Sequence, residues 1–185
     1  MSEHSNLMLI LKAASFAADK HRTQRRKDAG ASPYINHPLG LAHILCSEGG
    51  VTDAKVIAAA LLHDTVEDTE TTVEELQQEF GQEVAAIVAE VTDDKNLSKE
   101  ERKRLQVTKA ASKSDKAKLV KLADKISNLR DIAANPPETW SAERRGAYCD
   151  WAAEVVGGLR GVNARLEAAF DEAHDRGLKA IQEVR

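Results

Sequence analysis

Leu61-Leu62-His63-Asp64-Thr65-Val66-Glu67-Asp68-Thr69 decides how the rest of the chain is read. Upstream of it, Val56-Ile-Ala-Ala-Ala-Leu-Leu62 is dense in strong helix formers and holds neither Gly nor Pro. Such a run belongs in a core, yet it leads straight into an imidazole and three carboxylates. If the helix continues, His63 lies one turn before Glu67 and Asp64 one turn before Asp68. A buried helix would then end in two metal-type ligands followed by two acid/base groups. Burying those four together is costly unless a cation or a network of partners compensates.

Outward from this stretch, helical patterns fill the chain. Ser5 or Asn6 is expected to cap a first helix carrying Leu7, Ile10, Leu11, Ala14, Ala17 and Ala18, with His21 a satisfied histidine at the core edge. Lys20 to Lys27 holds five basic residues and runs into the loop Asp28-Ala-Gly30-Ala-Ser-Pro33, so its cations can stand at the lip of a cleft. Tyr34-Ile-Asn-His37-Pro38 opens a second helix, with Pro38 suited to its first position and His37 at or next to the cap. Thr72-Val-Glu-Glu75 and Ser98-Lys-Glu-Glu101 read as capping boxes, Gly81 as a break, and Ser114-Asp115 as the start of another helix. On that helix Lys121, Asp124 and Asn128 share one face among Leu and Ala, and Asp124 can pair with Lys121 or Lys125. After Asn135-Pro-Pro137, one long helix is expected from Ser141 through Phe170, bent or closely packed at Gly157-Gly158 and Gly161. The last dozen residues read as a loosely held tail.

The totals bound the class. A chain of 185 residues fits one domain, core about 5–170 and tail about 174–185. With 42% hydrophobic, 30% charged and only 4% aromatic residues, it reads as a soluble all-α bundle. A net charge of −4 argues against a general nucleic-acid binder, although the basic stretches 20–27 and 99–113 would be where RNA bound. Cys46 and Cys149 lie far apart, imply no disulfide, and are expected to be small buried apolar residues. No signal pattern or membrane-length apolar run is present, so the expected setting is the reducing cytoplasm.

His37, the His63-Asp64 pair and Asp124 come from three separate helices. Two imidazoles and two carboxylates suit a single divalent transition metal such as Mn²⁺, Fe²⁺, Co²⁺ or Zn²⁺, with open positions for water and substrate. Such an ion lowers the pKa of water and polarises a phosphoryl oxygen, while Glu67 or Asp68 accepts or orients the proton.

His37…His63-Asp64…Asp124 resembles the H…HD…D signature of HD-domain metal-dependent phosphohydrolases. The longer context is more specific: Arg26-Lys27 ahead of Pro33-Tyr-Ile-Asn-His-Pro38, then Ala60 to Thr69, then Lys118-Leu-Val-Lys-Leu-Ala-Asp124-Lys-Ile-Ser-Asn128-Leu-Arg130. Together these are similar to the hydrolase domain of the RelA/SpoT family, and the length to its small alarmone hydrolases of the metazoan SpoT homologue type. The resemblance implies an all-α HD bundle with a mononuclear metal site. It also implies removal of pyrophosphate from the 3′ position of ppGpp and pppGpp, usually with Mn²⁺, as in the stringent response. Carried over, it makes His37, His63, Asp64 and Asp124 the metal ligands and Glu67 and Asp68 the water-handling groups. Arg26 would pack on the nucleobase with Lys27 beside it, Asn128 would hold the ribose, and Lys99, Arg144 and Tyr148 would line the nucleotide pocket. Two other readings compete: a phosphatase acting on another nucleotide, such as the 2′-phosphate of NADPH, and a non-catalytic nucleotide sensor. Degenerate relatives of the sensor kind lose the His-Asp or Glu-Asp pair, and this chain retains both.

Overall fold

Ala54–Leu62 forms α3, the helix around which the others are laid. Asp53 starts it by accepting from the Lys55 N–H at 2.9 Å, and Val56 to Leu62 are all buried. A helix apolar on every side has to be surrounded. Here α1 (Glu3–Lys20), α2 (Asn36–His43), α6 (Gln82–Val91) and α8 (Asp115–Ala134) pack directly against it. The short α4 (Thr65–Asp68) follows α3 at once, and α5 (Val73–Phe80) leads into α6 through Gly81. Outside them lie α7 (Lys99–Thr108), α9 (Ala142–Gly157) and α10 (Ala164–Gln182), the last packed along α8. The computed structural model describes residues 2–183. Among them there is no strand, only an isolated antiparallel bridge between Arg25 and Pro33, so the chain is all-α as expected. None of these helices is long and apolar enough to cross a membrane.

Fully buried Leu61, Leu62, Leu122 and Ile126 knit α3 to α8, and each such side chain stabilises the fold by about 1.5–3 kcal/mol. Both capping boxes form on the donor side: Thr72 Oγ1 accepts from the Glu75 N–H at 3.1 Å, and Ser98 Oγ from that of Glu101 at 3.1 Å. Ser114 and Ser141 cap α8 and α9 in the same manner.

Several local expectations are corrected. α1 is capped three or four residues earlier than expected, at Ser2, whose hydroxyl accepts from the Ser5 N–H. α2 begins at Asn36, so Pro38 sits third rather than first, still within the turn whose N–H groups lack helical partners. It runs on through a wider-wound turn, Ile44–Glu48, which leaves Cys46 exposed rather than buried. The single C-terminal helix is two: α9 ends at Gly157, and Asn163 caps α10 by accepting from the N–H groups of Arg165 and Leu166. Gly158 lies so close to the α7–α8 connection that a Cβ there would stand 2.7 Å from the Ala110 Cβ, which is the close packing foreseen. The expected loose tail is helical to Gln182, with Ala173, Gly177 and Ile181 buried; residues 184–185 lie outside the described residues. Asn163 also donates to the Gly49 carbonyl at 2.9 Å and Arg165 to that of Ser47 at 3.1 Å, tying the start of α10 to the end of α2.

Candidate metal centre

The long helix that the central motif suggests does not run through it. α3 stops at His63, Asp64 takes a bent conformation (φ −102°, ψ −1°), and α4 restarts at Thr65. Thr65 holds the bend by donating its hydroxyl to the Leu62 carbonyl at 2.7 Å. The Asp68 N–H still reaches the Asp64 carbonyl at 2.8 Å, so the one-turn relation between those two acids survives. The bend turns His63 and Asp64 inward toward α2 and α8.

There, His37, His63 and Asp124 each present one donor atom, and the three atoms lie within 4.8 Å of one another. Donors bound to one divalent ion at about 2.0–2.2 Å sit up to roughly 4.4 Å apart, so small side-chain shifts close the set. Among the described residues no other trio of His, Cys or acidic donors converges in this way.

Each imidazole is oriented from behind. His63 Nδ1 lies 2.8 Å from the Ala60 carbonyl, which only accepts, so Nδ1 carries the hydrogen and Nε2 keeps its lone pair. That Nε2 is buried with no hydrogen-bond partner, 2.8 Å from Asp64 Oδ2 but not aligned to bond it. His37 Nδ1 pairs with Ser127 Oγ at 3.2 Å, and its Nε2 stands 3.3 Å from Asp124 Oδ1. Asp124 is gripped on both oxygens, by Asn128 Nδ2 at 2.6 Å and Lys125 Nζ at 3.0 Å, so Lys125 rather than Lys121 is its ion-pair partner. Tyr34 donates its hydroxyl to Asp64 Oδ2. Asp64 therefore touches His63 from outside the converging trio.

The electrostatics suit a cation. Burial opposes the charge of Asp64, but His63 outweighs it and its carboxyl stays below the usual range. Burial likewise opposes charge on Asp124, and Lys125 and His37 outweigh it, leaving that carboxyl well below its ordinary value. Burial pulls the His63 imidazole down while Asp64 and Asp124 push it up, with a net rise; at His37 burial wins and the imidazole is lowered. The field that would hold a proton on His63 would equally hold a metal ion. An unpartnered buried nitrogen, two oriented imidazoles and two ionised carboxylates fit a divalent metal.

Above this set opens a cleft of about 560 Å³. Glu67 and Asp68 line one wall, Arg26, Lys27, Asn128 and Tyr148 others. Glu67 is pushed above the ordinary glutamate value by burial and by the neighbouring charges of Asp64 and Asp93; Arg102 stands 3.4 Å from its Oε1. Asp68 accepts from Gln24 Nε2 at 2.9 Å and from Lys95 Nζ at 3.1 Å. Arg26 crosses the mouth, paired with Asp131 and 3.5 Å from Asn128 Oδ1. A second cavity of about 260 Å³ shares Lys27 and Tyr148 with the first and adds Lys99, Arg102, Lys103 and Arg144. Lys99 and Arg144 are exposed, the latter with its guanidinium 4.4 Å from the Trp140 ring. Of the twelve residues singled out from the sequence, six line the first cleft, Lys99 and Arg144 line only the second cavity, and His37, His63, Asp64 and Asp124 line neither, joined to the first cleft through the Tyr34–Asp64 and Asn128–Asp124 hydrogen bonds. Ser127 and Gln24 were missed, and Tyr34 was read only as part of the helix start, since a hydroxyl or an amide carries no signal until its partner is known.

A profile of the HD domain matches residues 13–148. The chain is 60% identical over 175 residues to the guanosine-3′,5′-bis(diphosphate) 3′-pyrophosphohydrolase MESH1 of Xenopus tropicalis, covering 94% of this chain and 98% of that one. To the protein of that name from Homo sapiens it is 59% identical over 161 residues, covering 87% and 90%. Its fold superimposes with a TM-score of 0.88 on a metazoan ortholog of SpoT described as hydrolysing ppGpp and playing a role in starvation responses, at 51% identity over 92% of this chain and 96% of that one. The chain belongs to the HD domain family, in the group of small RelA/SpoT-type hydrolases that these relatives form.

Proposed function

We propose that this chain is a metal-dependent (p)ppGpp 3′-pyrophosphohydrolase, one hydrolase domain across its 185 residues, working in the cytoplasm with a single Mn²⁺. The observation that carries the reading is the convergence of His37, His63 and Asp124 beneath a cation-rimmed cleft, in a chain about 60% identical to named enzymes of this activity along nearly its whole length. Two free cysteines fit a reducing compartment.

His37, His63, Asp64 and Asp124 would hold the ion. When bound, it supplies positive charge to a phosphoryl oxygen and acidifies water. Arg26 and Asn128 at the mouth orient the nucleoside, the guanidinium offering a flat face to a base and the amide a partner to a ribose hydroxyl. Lys27, Lys99, Arg144 and Tyr148 take the remaining phosphates and ring edges. Water attacks the phosphorus attached to the ribose 3′ oxygen, and the bond between that phosphorus and the 3′ oxygen breaks, releasing pyrophosphate while the 3′ oxygen takes a proton from solvent and leaves as the hydroxyl. Glu67, made more basic by burial, takes the water's proton, while Asp68 orients the same molecule.

The test is a comparison of kcat/KM on ppGpp, pppGpp and NADPH with Mn²⁺, Zn²⁺ and Mg²⁺. Metal-dependent pyrophosphate release from ppGpp is expected. Cleavage of NADPH with ppGpp untouched would move the substrate assignment, and nucleotide binding with no product under any metal would make the chain a sensor.

A further inference from the structure

We infer that His21 and Gln24 form a positioning chain that aims Asp68 at the attacking water, an inference that rests on the role proposed above for Asp68. His21 follows the last residue of α1 and is 2% exposed, more deeply buried than His37 and His63 at 5%. Its Nδ1 lies 2.7 Å from Gln24 Oε1. An amide oxygen only accepts, so Nδ1 donates and the ring is the Nδ1–H tautomer. Its Nε2 is buried without a partner, which makes the bond to Gln24 the ring's one hydrogen bond among the described residues. Burying an imidazole half-satisfied is unfavourable and calls for a return elsewhere.

That return lies at the other end of Gln24. With Oε1 held by His21, the amide can turn only its NH₂ toward the cleft, and Nε2 donates to Asp68 Oδ2 at 2.9 Å. The flipped amide would set an oxygen against the carboxylate and a donor against Nδ1–H, losing both bonds. The Gln24 backbone is pinned as well: its N–H reaches the His21 carbonyl at 2.9 Å, and its carbonyl accepts from the Tyr34 N–H at 3.1 Å. The His21 ring lies against the Tyr34 ring with centroids 4.7 Å apart. The end of α1 and the loop after it therefore direct one hydrogen bond to Asp64, from Tyr34, and one to Asp68, from Gln24. Lys95 takes the other oxygen of Asp68, so each oxygen of the carboxylate is held by one donor and keeps a further lone pair for water.

The full-length enzyme tests this with Mn²⁺ and ppGpp, by kcat, KM and calorimetric Mn²⁺ affinity, on Gln24→Leu, Asp68→Asn, the double variant, His21→Phe and His21→Asn. Gln24 is half-buried, so its substitution leaves the fold intact. Gln24→Leu is expected to lower kcat about 10–100-fold, as loss of a supporting partner typically does, with KM and Mn²⁺ affinity within about twofold of wild type. In the Asp68→Asn background the same change should cost no more than about twofold further, because the two residues act as one unit. His21→Phe keeps the ring on Tyr34 but loses the donor and should follow Gln24→Leu. His21→Asn, whose amide N–H falls near the Nδ1 position, should restore much of the rate. Full activity of Gln24→Leu beside an impaired Asp68→Asn overturns the chain and leaves the Asp68 role standing, as do independent, multiplying losses in the double variant. Full activity of Asp68→Asn removes the proposed Asp68 role, and the chain with it.

Discussion

The two ends of α3 carry the same kinds of charge and do opposite things with them. At its start Asp53, Lys55, Glu83 and Lys116 lie at the surface and satisfy one another, Lys116 reaching Asp53 at 2.6 Å and Glu83 at 2.5 Å while Lys55 pairs with Glu83. At its end His63 and Asp124 are buried together with His37, Asp64 beside them, and a ring nitrogen is left without a hydrogen-bond partner. The first cluster is complete within the protein, and solvent makes such pairs worth little. The second is incomplete until something positive joins it. Charge in a helix-rich protein becomes informative where the chain's own partners run out, rather than where charges are most numerous.

His63→Ala and Asp124→Ala should break the buried end outright. Each is expected to lower kcat/KM about a thousand-fold or more. Each should also abolish the rise in Tm expected of wild type on adding Mn²⁺, about 5–10 °C at a hundredfold excess over Kd. Retention of that rise in either variant would remove the residue from the ligand set. Glu67→Gln comes next: kcat is expected to fall about 100-fold while the Mn²⁺-induced rise persists, and a lost rise would make Glu67 a ligand instead. Arg26→Ala should act through KM, raising it about tenfold on ppGpp with kcat near wild type, since the residue lies at the mouth rather than at the floor.

The surface end supplies the smallest effect. Lys116→Met should leave kcat/KM unchanged and shift Tm by no more than about 3 °C at pH 7. Its pH dependence has a defined sign. Asp53 is opposed by burial but ends below its ordinary value through Lys116, and Glu83 is lowered by hydrogen bonds from Lys116 and Lys55. Carboxylates with depressed folded-state values lend stability above the unfolded-state pKa, and lose it as pH falls through the folded-state value. The difference in Tm between wild type and Lys116→Met should therefore close below about pH 4. A gap that stayed constant from pH 7 down to the onset of acid unfolding, without beginning to narrow below about pH 4, would mean the lysine stabilises by packing rather than by charge.

Much of this contrast was legible in the sequence. An all-apolar run ending in His63-Asp64, and an acid among leucines at position 124, are anomalies of composition that only burial with a partner resolves. Capping residues such as Thr72 and Ser98 declared themselves because their bonds are local. What stayed hidden depends on distant atoms. The bend at Asp64 needs Thr65 to reach back to Leu62, and the break before Asn163 needs Gly158 against Ala110. His21 had the pattern of an ordinary core-edge residue, and nothing along the chain indicates that Gln24 links it to Asp68, 44 positions away.

The clasp between the start of α10 and the end of α2 gives the C-terminus a say in how the first imidazole stands. Asn163 and Arg165 grasp the carbonyls of Gly49 and Ser47, at the foot of the same continuous coil whose opening turn carries His37. A protein trimmed before residue 163 would keep every ligand proposed above, yet the coil bearing one of them would have lost its moorings.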